Sequence, residues 1–196
     1  MLRAVAACCL LVVILPRAAA AEWHFTPMVG ATFFGKTSLI DPDDAAGKVH
    51  RNFGGSVALL GSSVVGVEGL VVWTPGIFTG ETAGLVNRSR SIAAMGNVVV
   101  TTPRRWTEYS LRPFISGGVG LIHTSRTEDV FPDNRNIPSF NIGGGAIGFL
   151  SKRTGLRFDL RYHSSLSRSD EGDPPVAIGR VYLRYMTASV GVVLRR

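Results

Sequence analysis

Leu156-Arg157-Phe158-Asp159-Leu160-Arg161-Tyr162-His163 alternates without a break: every even position is apolar or aromatic, and every odd one is charged or imidazole. Successive side chains of a β-strand point to opposite faces, so a strict period of two marks a strand with one greasy and one ionic side. On a helix the same residues would spread around the axis and leave no coherent face.

The same period runs through much of the remaining chain. It predicts strands at 23–35, 51–60, 63–74, 91–102, 111–123, 140–150, 155–164 and 180–194. The most apolar stretch, Ser56 to Trp73, is broken by Gly61-Ser62-Ser63, Gly66, Glu68 and Gly69 and reads as two strands around a tight turn rather than a membrane helix. The connections alternate in length. Gly61-Ser62, Pro103 to Ser110 and Ser151 to Thr154 are short to moderate, whereas 36–50, 75–90, 124–139 and 165–179 are long and rich in Asp, Pro, Gly, Asn and Arg. An even number of antiparallel strands with short turns at one end and long loops at the other is the layout of an outer-membrane barrel. Tilted spans there need about nine to eleven residues, which these strands supply. The expected fold class is all-β: an eight-stranded antiparallel up-and-down transmembrane β-barrel. A secreted sandwich or soluble carrier barrel would share the alternation with its apolar phase turned inward, and the loop asymmetry decides for the membrane.

The first twenty-one residues read as an address. A positive start, Met1 to Arg3, precedes a twelve-residue apolar run, Ala4 to Leu15, and the small residues Ala18 to Ala21 suit signal peptidase. That run falls short of the roughly twenty residues a membrane helix needs. The expected division is 1–21 as a cleaved signal peptide and 22–196 as the barrel, exported to the bacterial outer membrane. Cys8 and Cys9 both lie in the leader, so the mature chain is expected to hold no disulfide and no cysteine metal site. The run Val5-Ala6-Ala7-Cys8 resembles a lipobox, but the apolar core continues beyond it, and lipidation is not expected.

The 196 residues are 45% hydrophobic and 18% charged, which excludes a disordered tail and suits about one domain. Loss of Arg3 and Arg17 with the leader lowers the formal charge from +7 to +5. Eighteen of the 21 basic residues are arginines, dispersed over strands, turns and loops rather than gathered in a stripe. Together with export, that dispersal argues against a nucleic-acid partner. Aromatics sit near expected strand ends, among them Trp23, Phe25, Trp73, Trp106, Tyr109, Phe140, Phe149, Tyr162 and Tyr182, as interfacial girdles require.

Arg112-Pro113-Phe114-Ile115-Ser116-Gly117-Gly118-Val119-Gly120-Leu121, then Phe140-Asn141-Ile142-Gly143-Gly144-Gly145-Ala146, then Gly155 to Tyr162 resemble the small eight-stranded outer-membrane barrel proteins of the OmpA and OmpX class. The likeness is carried by the fifth to seventh strands and elsewhere by pattern. It implies a monomeric barrel with both termini in the periplasm, inserted by the barrel-assembly machinery. Because the last expected strand runs to 194, no peptidoglycan-binding domain is expected after it. Members of that class end in an aromatic residue, and this chain departs from them with Val193-Leu194-Arg195-Arg196.

With the apolar phase facing lipid, Glu68, Asn97, Arg112, Arg157, Asp159, Arg161, His163 and Arg184 fall on the inward phase as a lumen polar network. An eight-stranded barrel is just wide enough for side chains to fill, so the network should block conduction. Buried charges are costly unless paired, so Glu68 and Asp159 should each meet an arginine. Gly66, Gly118, Gly120, Gly143 and Gly145 would make room for the long side chains.

One catalytic alternative rests on His163-Ser164-Ser165, whose His-x-Ser spacing resembles that of outer-membrane lipid A deacylases. In such a site His163 would be the base, Ser165 the nucleophile and Asp170 or Glu171 the orienting carboxylate. The Asn and Asn-Pro-Gly of that family are absent. The four histidines, His24, His50, His123 and His163, have no ligand spacing, and Asp41-Pro42-Asp43-Asp44 lacks the glycine and distant Glu of a calcium loop, so no metal or other cofactor is expected. Asn87-Arg88-Ser89 is a sequon by pattern only. Arg51, Arg88, Arg90, Arg126, Arg135 and Arg168 could meet lipopolysaccharide phosphates, since Arg binds phosphate in bidentate geometry. The function expected is non-enzymatic, through envelope integrity or loop-mediated interaction and adhesion among outer-membrane lipids. The alternatives are the deacylase and the soluble secreted carrier.

Overall fold

A computed structural model describes residues 22–37, 49–60, 64–76, 86–102, 111–128, 132–166 and 183–196. The expected leader 1–21, the acidic run 41–44, Trp106, Tyr109, Arg168, Asp170, Glu171 and Tyr182 lie outside the described residues. Eight strands follow in order: β1 Glu22–Thr37, β2 His50–Leu60, β3 Val65–Pro75, β4 Val86–Thr101, β5 Leu111–Glu128, β6 Pro132–Phe149, β7 Thr154–Ser165 and β8 Leu183–Arg195. Each pairs antiparallel with its neighbours in sequence, and β1 pairs with β8 to close the barrel. Closure leaves no exposed sheet edge. At the seam Trp23 and Arg196 exchange two backbone hydrogen bonds of 3.0 Å.

Alternation fixes which residues face out. Trp23, Phe25, Val29, Phe53, Val57, Val67, Val71, Trp73, Val98, Ile115, Val119, Leu121, Ile142, Phe158, Leu160, Val190 and Val192 are all exposed on the outer wall. An apolar surface of that extent around a whole barrel fits hydrocarbon rather than water. Aromatic pairs mark its borders, Trp23 with Phe25 toward the short turns and Phe53 with Trp73 toward the long loops. Phe140 and Tyr162 also pair on the outer wall, with centroids 6.4 Å apart. Phe149, expected in a girdle, packs inward instead, its ring edge-on to His24 at 6.0 Å.

Inside, two apolar clusters form. One, toward the long loops, gathers Met28, Leu70, Val72, Ala93, Met95, Ile122, Ile137, Leu183 and Tyr185. The other, toward the short turns, gathers Ala58, Leu60, Val99, Phe114, Ile147 and Val193. The charged residues lie between them.

Some boundaries differ from the sequence reading. β4 begins at 86 rather than 91, β5 continues to 128, and β6 begins at 132 rather than 140. The β5–β6 ladder runs unbroken from Leu111↔Gly148 to Thr127↔Pro132, through the polar stretch expected to be loop. The backbone ladder thus outlasts the run of apolar alternation, with Ile137 still turned inward into the apolar interior.

Candidate functional site

β7 carries Arg157, Asp159 and Arg161 on its inward face, two residues apart. β3 lies four strands away in the ring of eight, on the opposite wall, and contributes Glu68. The two arginines reach across the lumen. Glu68 Oε1 lies 2.6 Å from Arg157 Nη1, and Glu68 Oε2 lies 2.7 Å from Arg161 Nη2. Asp159 sits between the same two arginines, 2.7 Å from Arg157 Nη2 and 2.7 Å from Arg161 Nε. Two cations and two anions thus alternate in a neutral cycle with almost no solvent exposure.

Neutral polar groups complete it. Asn97 donates to Glu68 Oε2 at 3.2 Å, Asn141 donates to Asn97 Oδ1 at 2.7 Å, and Arg161 Nη1 donates to Asn141 Oδ1 at 3.3 Å. Arg157 donates to Ser56 Oγ at 3.2 Å, and its guanidinium lies over the Phe114 ring at 4.4 Å. Buried ions cost several kcal/mol each in lost hydration, offset only where geometry and extra hydrogen bonds are good. Three of the four ion contacts are also hydrogen bonds, while Glu68 Oε1 meets Arg157 Nη1 by charge alone. Room for the long side chains comes from inward glycines. A Cβ on Gly143 would lie 2.5 Å from Arg161 Cγ, and one on Gly118 would run into the Asn97 side chain and the Gly96 carbonyl.

Not all the residues expected in the network join it. Arg112 is buried, but its Nε donates to the Thr102 carbonyl at 3.0 Å, toward the short-turn end. Arg184 is a correction: Leu183, Tyr185 and Thr187 are the buried phase of β8, so Arg184 belongs to the outward phase. His163 lies inward beyond Arg161, stacked on Tyr185 with centroids 4.9 Å apart and Nε2 3.5 Å from Thr187 Oγ1. Asn141, Ser56 and Phe114 were missed by the sequence reading. Asn141 carried a usable signal, a polar residue between outward Phe140 and Ile142.

The residues of the hydrolase alternative occupy the same interior. His163 is 0% exposed and Ser165 5%, and Ser165 Oγ accepts the Leu183 backbone N–H at 3.2 Å. Both face the lumen, away from the lipid-facing wall where an acyl ester would lie. The candidate carboxylates Asp170 and Glu171 fall outside the described residues. The interior a carrier would need to be open and apolar is instead crossed by the ionic cycle. Among the described residues no three His, Cys, Asp or Glu side chains come together as a metal site. His123 is engaged at the loop end, its Nδ1 2.8 Å from Asn136 Oδ1. Of the loop arginines, Arg51, Arg90 and Arg135 are exposed at the loop end, while the side chains of Arg88 and Arg126 and the whole of Arg168 are outside the described residues.

No family model matches the chain, and no curated protein matches it. Solved structures do. Neisserial surface protein A superposes with a TM-score of 0.59 at 10% identity, covering 89% of this chain and 97% of its own. The N-terminal β-barrel domain of Pseudomonas aeruginosa OprF gives 0.53 at 12% identity, covering 89% and 97%. Ail, the attachment invasion locus protein of Yersinia pestis, gives 0.53 at 14% identity, covering 90% and 99%. Closure, strand number, an apolar exterior and these superpositions agree: the chain has the fold of the small eight-stranded outer-membrane β-barrels.

Proposed function

We propose that this protein is an integral outer-membrane barrel that neither conducts nor catalyses, contributing to envelope integrity and presenting its long loops as an interaction or adhesion surface. The observation that carries this reading is the filled lumen. A paired ionic cycle spans it from wall to wall, with an apolar cluster on either side. A pore needs a continuous wet path, and an enzyme needs a reacting group that substrate can touch; the cycle supplies neither. What remains free to act is the loop end and the outer wall, and on such scaffolds the loops carry specificity.

The barrel works in this reading as a monomer among outer-membrane lipids and lipopolysaccharide, inserted by the barrel-assembly machinery after removal of its leader. Exposed Arg51 and Arg90 on the loop-end wall are suited to lipopolysaccharide phosphates. The structural neighbour Ail was crystallised with the heparin analogue sucrose octasulfate, another polyanion, which supports anion contact as a mode open to this fold. Replacing Arg88, Arg90 and Arg126 together should weaken lipopolysaccharide binding, and unchanged binding would remove that partner.

The deciding experiment is outer-membrane fractionation followed by a gel of boiled and unboiled samples. A closed strand ladder resists detergent until heated, so the protein should appear in the outer-membrane fraction and change mobility on boiling. Recovery in the soluble fraction with no mobility change would overturn the reading.

A further inference from the structure

At the short-turn end, Lys152, Arg153, Arg195, Arg196 and Glu22 line a cleft of about 560 Å³. Among the described residues, four cationic side chains line it with one side-chain carboxylate, Glu22. Their convergence is built into the backbone. Arg195 N–H donates to the Arg153 carbonyl at 2.8 Å, which ties β8 to the β6–β7 turn, and the Trp23–Arg196 bonds tie it to β1. Within the turn, Ser151 Oγ accepts the backbone N–H groups of Arg153 at 3.2 Å and Thr154 at 3.1 Å. Arg195 is held further, its Nε 3.4 Å from Glu22 Oε2 and its guanidinium over the Phe149 ring at 5.2 Å. Lys152, Arg153 and Arg196 stand exposed around that anchor.

Like charges held together by a fixed backbone repel one another, and an anion seated among them removes the cost. Which anion follows from what borders the cleft. The outer wall beside it carries Trp23, Phe25 and Leu194, with Leu150 73% exposed at the turn. The cleft therefore sits where the apolar wall ends. A phosphodiester placed in it would have its attached acyl chains run along that wall, with Trp23 at the headgroup level. A free polyanion would use the cations and leave this apolar border unoccupied. Basic pockets at the membrane border are suited to such headgroups, and Arg forks match phosphate oxygens in bidentate geometry.

We infer that the cleft formed by Lys152, Arg153, Arg195 and Arg196 is a binding site for an anionic phospholipid of the inner leaflet, taking the headgroup phosphate. The inference rests on the outer-membrane reading above, which puts the short turns on the periplasmic side. Arg196 and the Lys152–Arg153 turn grip the phosphate, while Arg195, paired with Glu22, holds the floor.

The test uses the refolded chain from residue 22 onward in neutral detergent micelles, titrated with dioleoylphosphatidylglycerol or dioleoylphosphatidylcholine and read by native mass spectrometry. Phosphatidylglycerol should bind at least tenfold more tightly than phosphatidylcholine. A Lys152→Gln/Arg153→Gln/Arg196→Gln variant, altered only at exposed side chains, should lose that preference while keeping its heat-dependent mobility. Equal binding of the two lipids by the unaltered chain, or a preference that survives in the variant, overturns the proposal. Displacement of the lipid by an equal concentration of inorganic phosphate assigns the cleft to soluble anions and overturns the lipid. Loss of the mobility change in the unaltered chain would instead defeat the barrel reading on which the proposal stands.

Discussion

Glu68 faces two arginines from a wall that offers them no other carboxylate within the cycle, so its removal unbalances the whole cycle. In a Glu68→Ala variant Asp159 alone would compensate two buried guanidinium groups. Removing one partner of a buried ion pair costs about 3–5 kcal/mol, and the urea midpoint of the micelle-folded barrel should fall accordingly. A loss below about 1 kcal/mol, the worth of a typical exposed pair, would mean that the cycle is open to water. Gly143 sets a second limit at the same place. Gly143→Val should cost about 1–3 kcal/mol by overpacking against the Arg161 side chain and the Leu160 carbonyl, both 2.5 Å from an added Cβ. The cause is separable by a double-mutant cycle: in an Arg161→Ala background the valine should cost clearly less, because the side chain it displaces is gone. Equal costs in both backgrounds would place the strain in the backbone contact with Leu160 instead.

The strands differ in how openly they declare which face is which. β7 is legible from sequence because its charges and its apolar residues never share a parity, and both walls of its environment enforce that separation. β8 carries apolar or aromatic residues on both parities around Leu183, Tyr185 and Met186, so its sequence pattern does not fix its phase there, and Arg184 stands on the opposite parity from the buried Leu183, Tyr185 and Thr187. The ends of β5 and β6 are hidden for the opposite reason, since the apolar alternation stops there while the backbone ladder runs on, joined by the His123–Asn136 side-chain contact. The pairing of Glu68 with Arg161, 93 residues apart, was legible only as a need for some cation; the identity of the partner depends on which strands stand opposite in the closed ring. The outward phase itself can be tested on β5. Ile115 is 64% exposed near the middle of the outward run from Leu111 to Leu121. Ile115→Arg should cost about 2–4 kcal/mol if that face lies at the bilayer midplane, and should reduce recovery of the heat-modifiable form. A soluble barrel would tolerate the change within about 0.5 kcal/mol, as exposed positions usually do.

Taken across its whole height, the lumen is a stack of unlike layers, and each layer protects the next. Toward the loops, Thr32, Asn52 and Thr74 hydrogen-bond across three adjacent strands, with Asn52 Nδ2 donating to Thr32 Oγ1 at 3.1 Å. Below them the cluster around Ile122 and Tyr185 excludes water from the ionic cycle, and the cluster around Phe114 and Val193 does so from the other side. Water exclusion strengthens the attraction between the paired charges, while the pairing makes their burial tolerable. Ion flow would have to breach both apolar layers and unpair the cycle in the same event. In a planar lipid bilayer the purified barrel should therefore show no steady discrete conductance at ordinary voltages. Phe114→Ala with Tyr185→Ala would thin both apolar layers while leaving all four charges in place. Each large-to-small change of this kind costs about 3–5 kcal/mol, so retention of the heat-dependent mobility must be checked first. Where the double variant folds, brief openings should appear that are absent from the unaltered chain. A stable open level in the unaltered chain would show that water crosses the stack, and the barrel would then have to be read as a pore.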